Sequence, residues 1–262
     1  MKVDFFKYQG TGNDFILIDN RDEKYSGLTQ IQIKQLCSRH TGIGADGLML
    51  FNLVPGFDFE MKYYNADGKE STMCGNGGRC IVKFAAFLGI QKDHYQFKAI
   101  DGGHEAEIDN NGIIRLKMID IHQVEIHTNH FILDTGSPHY IKYVDEVENY
   151  DVYHKGLEIR NSSKYKPNGI NVNFVEKIQD GEIYVRTFER GVEDETLSCG
   201  TGVTAAAIVS AHNDNGFNIV NVKTRGGKLT VEFEKHDEDH FDNIWLCGPA
   251  VFVFNGSIII NN

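Results

Sequence analysis

Two segments of the chain alternate between apolar and polar residues with a period of two. They are Phe59–Tyr63 and Ile183–Thr187, and Gly, Asn and Asp residues interrupt the sequence around them. This pattern is typical of β-strands that bury one face. The regions before Cys74 and before Cys199 are therefore predicted to be rich in strands.

Two other segments, each following one of these cysteines, are apolar nearly all round. They are Ile81–Leu88 and Val203–Ala211, and they end at Gly89 and at Asn213–Gly216. Such stretches predict helices, and a helix that is apolar on every side must be enclosed. The simplest enclosure is a curved sheet of the same domain, so we predict an α+β fold in which a mainly antiparallel sheet or barrel wraps around a central helix.

The two regions form a long internal repeat. Thr11–Asn13 recurs as Thr135–Ser137 with an offset of 124, and Asp46–Leu48 has its counterpart in Asn171–Asn173 with an offset of 125. The third match, also offset by 125, joins Met73–Gly77 to Ser198–Gly202. Three matches in register predict two pseudo-symmetric domains, the first ending near Ile119 and the second beginning near Asp120.

The composition excludes several classes of protein. The 262 residues carry a formal charge of -11, which disfavours a general affinity for nucleic acid. No apolar run approaches the ~20 residues of a membrane span, and the first residues do not resemble a signal peptide, so we expect a cytoplasmic protein that binds no membrane. The five cysteines include no Cys-x-x-Cys pair, which predicts reduced thiols.

Both Cys-Gly-x-Gly segments are predicted to lie where the chain enters a helix. The first N–H groups of a helix lack internal partners and its dipole is positive there, so such a site binds anions and lowers the pKa of a thiol. Packing cysteines are the simpler interpretation, and a Cys-nucleophile hydrolase is another, but it needs only one of the two thiols. No phosphate-binding or dinucleotide motif accompanies the glycines.

Two equivalent helix ends suggest a specific chemistry if the domains face each other across a cleft. A carboxylate held by both sets of N–H groups has its α-carbon between two thiols. One thiolate then removes the α-hydrogen while the opposite thiol delivers a proton to the other face, which inverts the centre. This reaction needs neither a metal nor a cofactor, and the spacing of His122, His127 and His130 matches no known metal site.

The chain closely resembles the diaminopimelate epimerase family, whose enzymes work without pyridoxal phosphate. The resemblance covers nearly the whole chain in order, and it is carried by Gly10–Phe15, Arg39–Gly47, Tyr64–Gly68, Met73–Cys80, Gly136–His139, Gly169–Phe174, Glu189–Gly191 and Glu195–Gly202. It implies interconversion of L,L- and meso-diaminopimelate in lysine and peptidoglycan precursor synthesis. It also assigns the terminal strand to the first domain, giving domains 1–119 plus 251–262 and 120–250.

The resemblance implies a role for each site residue. Cys74 and Cys199 match the base and acid, which exchange roles with the direction of reaction. The backbone of Gly75, Asn76, Gly200 and Thr201 matches the α-carboxylate site, with Asn13 nearby. The residues that bind the distal amino-acid group of the substrate correspond to Asn65, Asn171, Glu189 and Arg190. The residues that tune the pKa values of the thiols correspond to His139 and Glu189. Two positions depart from some relatives, which have Gln at Gly47 and Asn at Ser137.

The expected partners are a small amino-acid substrate and a second copy of the chain in a homodimer. Two alternatives remain open: a two-cysteine racemase of the proline or hydroxyproline type, and a non-catalytic amino-acid-binding module. Glu189 and Arg190 argue against the racemase, because a cyclic monocarboxylate has no distal zwitterion for them to bind.

Overall fold

The contacts in the computed structural model divide the chain into two compact units. The structure describes residues 1–213 and 215–260. The first unit contains Met1–Leu116 and the described residues from Pro249 onward, and the second contains Lys117–Gly248. Three residues for which predictions were made lie outside the described residues. Asp214 belongs to the predicted end of the second central helix, and Asn261 and Asn262 belong to the predicted first domain.

The first unit is a mixed sheet with two helices. Its elements are β1 (Lys2–Gly10), β2 (Asn13–Asp19), α1 (Gln30–Cys37), β3 (Gly47–Asn52), β4 (Phe59–Asn65), β5 (Glu70–Ser71), α2 (Gly75–Phe87), β6 (His94–Ala99), β7 (Gly102–Ile108) and β8 (Ile114–Lys117), whose last residue is assigned to the second unit.

The second unit has the same kinds of element in the same order. They are β9 (Glu125–Ile126), β10 (Phe131–Asp134), β11 (Pro138–Tyr143), α3 (Val152–Arg160), β12 (Asn171–Gln179), β13 (Glu182–Glu189), β14 (Asp194–Thr196), α4 (Gly200–Val209), β15 (Gly216–Thr224), β16 (Gly227–Lys235) and β17 (Phe241–Gly248). The last strand of the chain, β18 (Val251–Ile259), returns to the first unit and pairs antiparallel with β1.

Strand pairing repeats between the units. In the second, β9 to β13 pair in sequence, β14 pairs with β13, and β15 to β17 continue the sheet from β13. In the first, β18 takes the place of β9, and β1 to β8 follow in the same pattern, parallel between β2 and β3 and between β4 and β6. The predicted pseudo-symmetric α+β fold is confirmed.

Each unit encloses one apolar helix. Helix α2 packs on β1, β2, β3 and β7, and α4 packs on strands from β10 to β17. The apolar side chains between Cys80 and Ala85 and between Val203 and Ile208 are buried, as their pattern predicts. Lys83, which lies within the first of these ranges, is half-buried. Helix α4 ends at Val209, two residues before the predicted Ala211. None of the helices in the described residues has the length and hydrophobicity of a membrane span.

The outer helices α1 and α3 were not predicted. Helix α1 covers the other side of the first sheet, where Ile33 and Leu36 pack against the residues of β2 and β3. It begins with a capping box, in which the side chains of Thr29 and Gln32 each accept a hydrogen bond from the backbone N–H of the other residue. That four-residue signal was present in the sequence, but the short helix has only a weak apolar face.

Candidate active site

Cys74 is the N-cap residue of α2. Its side chain is half-buried, and its Sγ accepts a hydrogen bond of 3.2 Å from the backbone N–H of Gly77. A Cβ on Gly77 would lie 2.5 Å from Cε of Met49 and 3.0 Å from the Cys74 sulfur, so a side chain there would displace Met49 and crowd the cysteine. An N–H donor and the positive end of the helix dipole both favour the thiolate form.

Cys199 is the N-cap residue of α4 and occupies the equivalent position of the repeat. It is buried, and its Sγ lies 3.5 Å from the hydroxyl of Thr201. Thr135, the counterpart of Thr11, donates a hydrogen bond of 2.9 Å to the backbone oxygen of Thr201. Gly200 begins the helix, and its backbone oxygen accepts from Thr204. The repeat therefore gives each unit one thiol at a helix N-terminus.

The other cysteines have different surroundings. Burial raises the pKa of Cys37 to about 12, and burial also raises the pKa of Cys80. Cys247 is buried, with its Sγ 3.8 Å from the backbone oxygen of Trp245. Cys37 and Cys80 therefore stay protonated at neutral pH, whereas Cys74 and Cys199 are the cysteines that lie at the N-termini of helices.

Asn13 and Asn76 lie together beside the N-terminus of α2. The side chain of Asn76 is buried and donates to Oδ1 of Asn13 at 3.3 Å, while its own Oδ1 accepts from Arg79 at 2.9 Å. Arg79 is also buried and donates to the backbone oxygen of Gly75 at 3.0 Å. These bonds fix the first turn of α2, whose backbone was predicted to bind the α-carboxylate.

Asn13 contacts a cluster of charged side chains for which the sequence suggested no role. The cluster consists of Lys7, Asp14, Arg39 and Asp46. The Nδ2 group of Asn13 donates to Asp46 at 2.6 Å, and Arg39 bridges Asp46 and Asp14 at 2.6 and 2.7 Å. Burial acts to raise the pKa of Asp14, but hydrogen bonds from Arg39 and Lys7 outweigh it and lower the pKa to about 2. Asp14 therefore stays ionised and keeps the cluster together at neutral pH.

Arg190 and Asn171 form a connected group in the second unit. The guanidinium of Arg190 donates to the backbone oxygen of Asn168 at 3.0 Å and to Oγ of Ser137 at 3.2 Å. Asn171 is buried, donates to the same Oγ at 2.8 Å and accepts from the backbone N–H of Arg190 at 2.9 Å. The departure at Ser137 thus supplies a hydroxyl that joins two of the predicted distal residues.

The Arg190 side chain lies directly on a glycine turn. Gly169 has a φ of +73°, and a Cβ there would approach Cδ of Arg190 to 2.5 Å. Both the left-handed backbone and the close approach require glycine. The Arg190 side chain therefore lies against this turn in the substrate-free protein.

Glu189 and Asn65 complete the predicted set. Glu189 ends β13 and accepts a hydrogen bond of 3.0 Å from the hydroxyl of Thr196. Asn65 ends β4 in the first unit, is exposed, and pairs with Gly47 across the sheet. A Cβ on Gly47 would lie 2.4 Å from the ring of Tyr63, so the glutamine of some relatives does not fit this backbone.

His139 is fully buried at the start of β11. Its Nδ1 lies 3.1 Å from Nδ2 of Asn173, and its Nε2 is buried without a protein partner in the described part of the chain. Burial, with a smaller contribution from the charge of Arg190, lowers the pKa of His139 to about 3. The imidazole is therefore neutral at physiological pH.

The other histidines singled out in the sequence lie elsewhere in the second unit. The rings of His127 and His130 stack with centroids 4.3 Å apart, and His130 also stacks on Tyr140. His122 lies beside His240. Within residues 1–213 and 215–260, no group of three or more His, Cys, Asp or Glu side chains is arranged to hold a metal ion.

Sequence comparison identifies relatives that share almost the whole chain. The profile of the diaminopimelate epimerase family matches residues 5–120 and 131–253. A diaminopimelate epimerase from Flavobacterium psychrophilum is 50% identical over 254 residues, which cover 97% of this chain and 99% of that protein. One from Chlorobaculum tepidum is 45% identical over 261 residues, covering 96% and 99%.

Solved structures share the fold at much lower identity. A PhzF-family phenazine biosynthesis protein from Bacillus anthracis superposes with a TM-score of 0.76 at 16% identity, covering 99% of this chain and 100% of that one. A probable proline racemase from Agrobacterium radiobacter K84 gives 0.69 at 12% identity, covering 99% and 93%. These structures establish the fold alone, whereas the profile and the closer sequences establish the family. The chain belongs to the diaminopimelate epimerase family.

Proposed function

We propose that this protein interconverts L,L- and meso-diaminopimelate, without a cofactor, by means of the Cys74 and Cys199 thiols. The observation that carries the proposal is that these cysteines are the N-cap residues of equivalent helices in the two units of a member of this family. Lysine and peptidoglycan precursor synthesis is the corresponding process. The free cysteines are in keeping with a reducing cytoplasm.

The proposed reaction is a proton transfer at one α-carbon. The thiolate of one cysteine takes the α-hydrogen as a proton, and the electron pair stays on the α-carbon and its carboxylate. The thiol of the other cysteine then donates its proton to the opposite face, so that each turnover exchanges the protonation states of the two sulfurs. The proposal requires both thiols to reach opposite faces of the same carbon.

The negative charge that develops at the carboxylate needs hydrogen-bond donors already in place. The backbone N–H groups of Gly75 and Asn76 in α2, and of Gly200 and Thr201 in α4, belong to the first turns of their helices, where donors have no partner within the helix. Such fixed donors typically contribute about 3 to 4 kcal/mol each when directed at a developing oxyanion. They are the proposed α-carboxylate site, with Asn13 supporting it through Asn76.

The distal amino-acid group of the substrate is proposed to bind Arg190, Asn171, Asn65 and Glu189. Arg190 supplies a planar cation for the distal carboxylate, and Glu189 supplies an anion for the distal ammonium. Neither group reacts. Their binding energy positions the α-carbon relative to the thiols, which explains why a monocarboxylate such as proline is expected to be a poor substrate.

We also infer that the protein works as a homodimer through the exposed residues of β18. Val251, Phe252, Val253 and Phe254 are four consecutive apolar residues that are 43 to 50% exposed. Exposed apolar strands of this kind are protected in native proteins by pairing or covering. A second copy of the same strand provides a matching apolar surface around a two-fold axis.

Solvent-deuterium labelling tests the proposed reaction. Incubated with L,L-diaminopimelate in deuterated water, the enzyme is expected to place deuterium at the inverted centre of the product, while recovered substrate gains little at early times because different groups remove and deliver the proton. Mass spectrometry of both pools measures this.

The cysteine variants provide the controls for that experiment. Cys74→Ala and Cys199→Ala are each expected to bind substrate but to abolish epimerisation, whereas Cys247→Ala is expected to retain it. Equal early labelling of substrate and product would instead indicate one exchanging base. Binding without turnover by the unaltered protein would identify a non-catalytic binding module.

A further inference from the structure

The site beneath the first turn of the central helix is mainly apolar in the first unit, where the Tyr63 hydroxyl is the exception, and polar in the second. Strand register defines three equivalent positions: Met49 pairs with Tyr63 as Asn173 pairs with Thr187, and Phe15 pairs with Gly47 as His139 pairs with Asn171. The first unit therefore has Phe15, Met49 and Tyr63 where the second has His139, Asn173 and Thr187.

Met49 in the first unit, and Asn173 and His139 in the second, lie against the equivalent glycine of the helix. A Cβ on Gly77 would meet Met49, and a Cβ on Gly202 would lie 2.3 Å from Oδ1 of Asn173 and 3.3 Å from Cε1 of His139. Both glycines are the third residue of their helix, one turn from the cysteine. The first unit demonstrates that the fold accepts apolar residues here. Burying polar ones is unfavourable unless each is hydrogen-bonded, so the polar set has a purpose other than packing.

The orientation of the Asn173 amide follows from its neighbours. Its Nδ2 lies 3.2 Å from the backbone oxygen of Tyr140, which only accepts hydrogen bonds, and its Oδ1 accepts from the hydroxyl of Thr187 at 2.8 Å. The NH2 group therefore points toward Tyr140 and toward Nδ1 of His139, 3.1 Å away. Since an amide NH2 only donates, Nδ1 must be the unprotonated nitrogen, and the ring proton is on Nε2.

A second proton on the ring is opposed by the same contact. Protonation would place an Nδ1–H against the NH2 group of Asn173, so that two donors would face each other. Arg190 is the charged residue whose field acts on the ring, and it has the same sign as an imidazolium. The remaining donor, Nε2–H, is buried and has no acceptor among the described residues. Buried N–H groups are rarely left without a partner, which indicates that a ligand or a reacting group supplies the acceptor.

We propose that Asn173 is a positioning residue that holds His139 as a fixed, neutral Nε2–H donor for an anion at the first turn of α4. The anion is either the Cys199 thiolate or the carboxylate of the substrate. His139 then stabilises negative charge and takes no proton from the substrate, a task that remains with the thiols. The identity of the anion rests on the proposed function, whereas the protonation state of the ring does not.

Nitrogen-15 NMR of histidine-labelled, unaltered protein tests the ring state directly. His139 is expected to show an unprotonated Nδ1 and a protonated Nε2 throughout about pH 5 to pH 9, a range in which ordinary histidines titrate. The signals are assigned by their disappearance in His139→Phe, which installs the residue of the first unit. A protonated Nδ1, or a titration within this range, would overturn the proposal whether or not the protein is an epimerase.

Substitution of Asn173 tests its positioning role. Asn173→Asp keeps the size of the side chain but presents an acceptor to Nδ1, so the NMR signals are expected to show a proton on Nδ1. The epimerase kcat/KM is expected to fall about 10- to 100-fold, the usual effect of losing a hydrogen bond to a charged group.

Thr187→Val is the matched control for that variant. It removes the hydroxyl behind Asn173, but the backbone oxygen of Tyr140 still orients the amide, so Nε2 is expected to stay protonated. An unchanged proton position in Asn173→Asp would contradict the proposal. If Asn173→Asp does not fold, the measurement on the unaltered protein still decides the ring state.

Two arms distinguish the possible anions. The first experiment measures the titration of the Cys199 thiolate by ultraviolet absorbance in substrate-free protein. The signal of Cys199 is the difference between a protein with and without the Cys199→Ala substitution. This difference is measured in the unaltered enzyme and in His139→Phe. A titration shifted to higher pH in His139→Phe identifies the thiolate as the acceptor. An unshifted titration with a raised KM identifies the substrate carboxylate. An unshifted titration with an unchanged kcat/KM would overturn the proposal.

Discussion

Cys74 and Cys199 occupy the same position of the repeat but have different neighbours. The sulfur of Cys74 accepts a backbone N–H, whereas the sulfur of Cys199 lies beside the hydroxyl of Thr201. A hydroxyl either donates to a thiolate or accepts from a thiol, whereas an N–H only donates. The hydrogen bond at Cys199 can therefore persist when the sulfur changes between thiol and thiolate, whereas the one at Cys74 is always donated to the sulfur.

At the residue scale, the cysteines were the most predictable part of the site and His139 the least. The spacing of two Cys-Gly-x-Gly segments indicated two helix N-termini, because the glycines and the following apolar run are local signals. The state of His139 depends on Asn173 and Thr187, which come from two other strands. No local pattern contains that information. Comparison of the two copies does give a signal, because Asn173 and Thr187 are polar where the first copy has Met49 and Tyr63.

We expect Arg190→Lys to impair the enzyme strongly. Lysine cannot reproduce the two guanidinium bonds to Asn168 and Ser137, and it presents a point charge in place of a planar fork. A misplacement of about 1 Å at the reacting carbon can cost on the order of 100-fold in rate. Steady-state kinetics should show a comparable loss in kcat/KM for diaminopimelate.

Arg21→Lys is the control for that substitution, because Arg21 forms a partly exposed pair with Asp19 and is expected to tolerate the change. Normal kinetics in Arg190→Lys would contradict the proposed distal site. Efficient racemisation of proline by the unaltered enzyme would favour the racemase alternative.

At the scale of elements, a buried ion pair holds the strand that leads to Cys199. Arg186 of β13 forms a bidentate pair with Glu195 of β14, at 2.6 and 2.7 Å. The same guanidinium donates to the backbone oxygens of Val147, Glu148 and Tyr150. One side chain thus connects two strands and the turn before α3, only a few residues from the thiol.

We expect Arg186→Met to lower the free energy of unfolding by about 1.5 to 3 kcal/mol, because it removes the bidentate donor of Glu195, which keeps only Arg225, and one donor from each of three backbone oxygens. Urea unfolding followed by circular dichroism measures the change. Lys155→Met, which breaks the exposed pair with Glu158, should change it by no more than about 0.5 kcal/mol. Equal stability of the two variants would show that the pair contributes little.

Element positions were predictable where periodicity was strong. Both central helices and the strand around Phe59–Tyr63 follow from apolar patterns that match their burial. The strand around Ile183–Thr187 was also predictable, but it is buried on both faces, because Tyr184 and Arg186 are buried as well. The outer helices α1 and α3 have mostly polar sequences, and their few buried residues become apparent only when the sheet beneath them is known. Tertiary packing, rather than local pattern, determines those two.

At the scale of the whole molecule, the proposed homodimer predicts a specific response to charge. Val251→Lys combined with Val253→Lys should convert a dimer to monomers, because two ammonium groups per copy would meet across the apolar surface of β18. Sedimentation velocity at micromolar concentration measures this. Ile31→Lys, at a residue of α1 that is 79% exposed, should leave the dimer intact. A monomeric unaltered protein, or a dimeric double variant, would refute this interface.

The return of β18 to the first unit has a consequence for biosynthesis. The second unit is continuous from Lys117 to Gly248, so all of its strands are synthesised before β18. The sheet of the first unit, although begun first, lacks β18 until the whole second unit has been synthesised. Domains usually fold in the order in which they are synthesised. In this chain the order of completion is reversed: the residues that complete the unit carrying Cys199 are synthesised before the strand that completes the unit carrying Cys74.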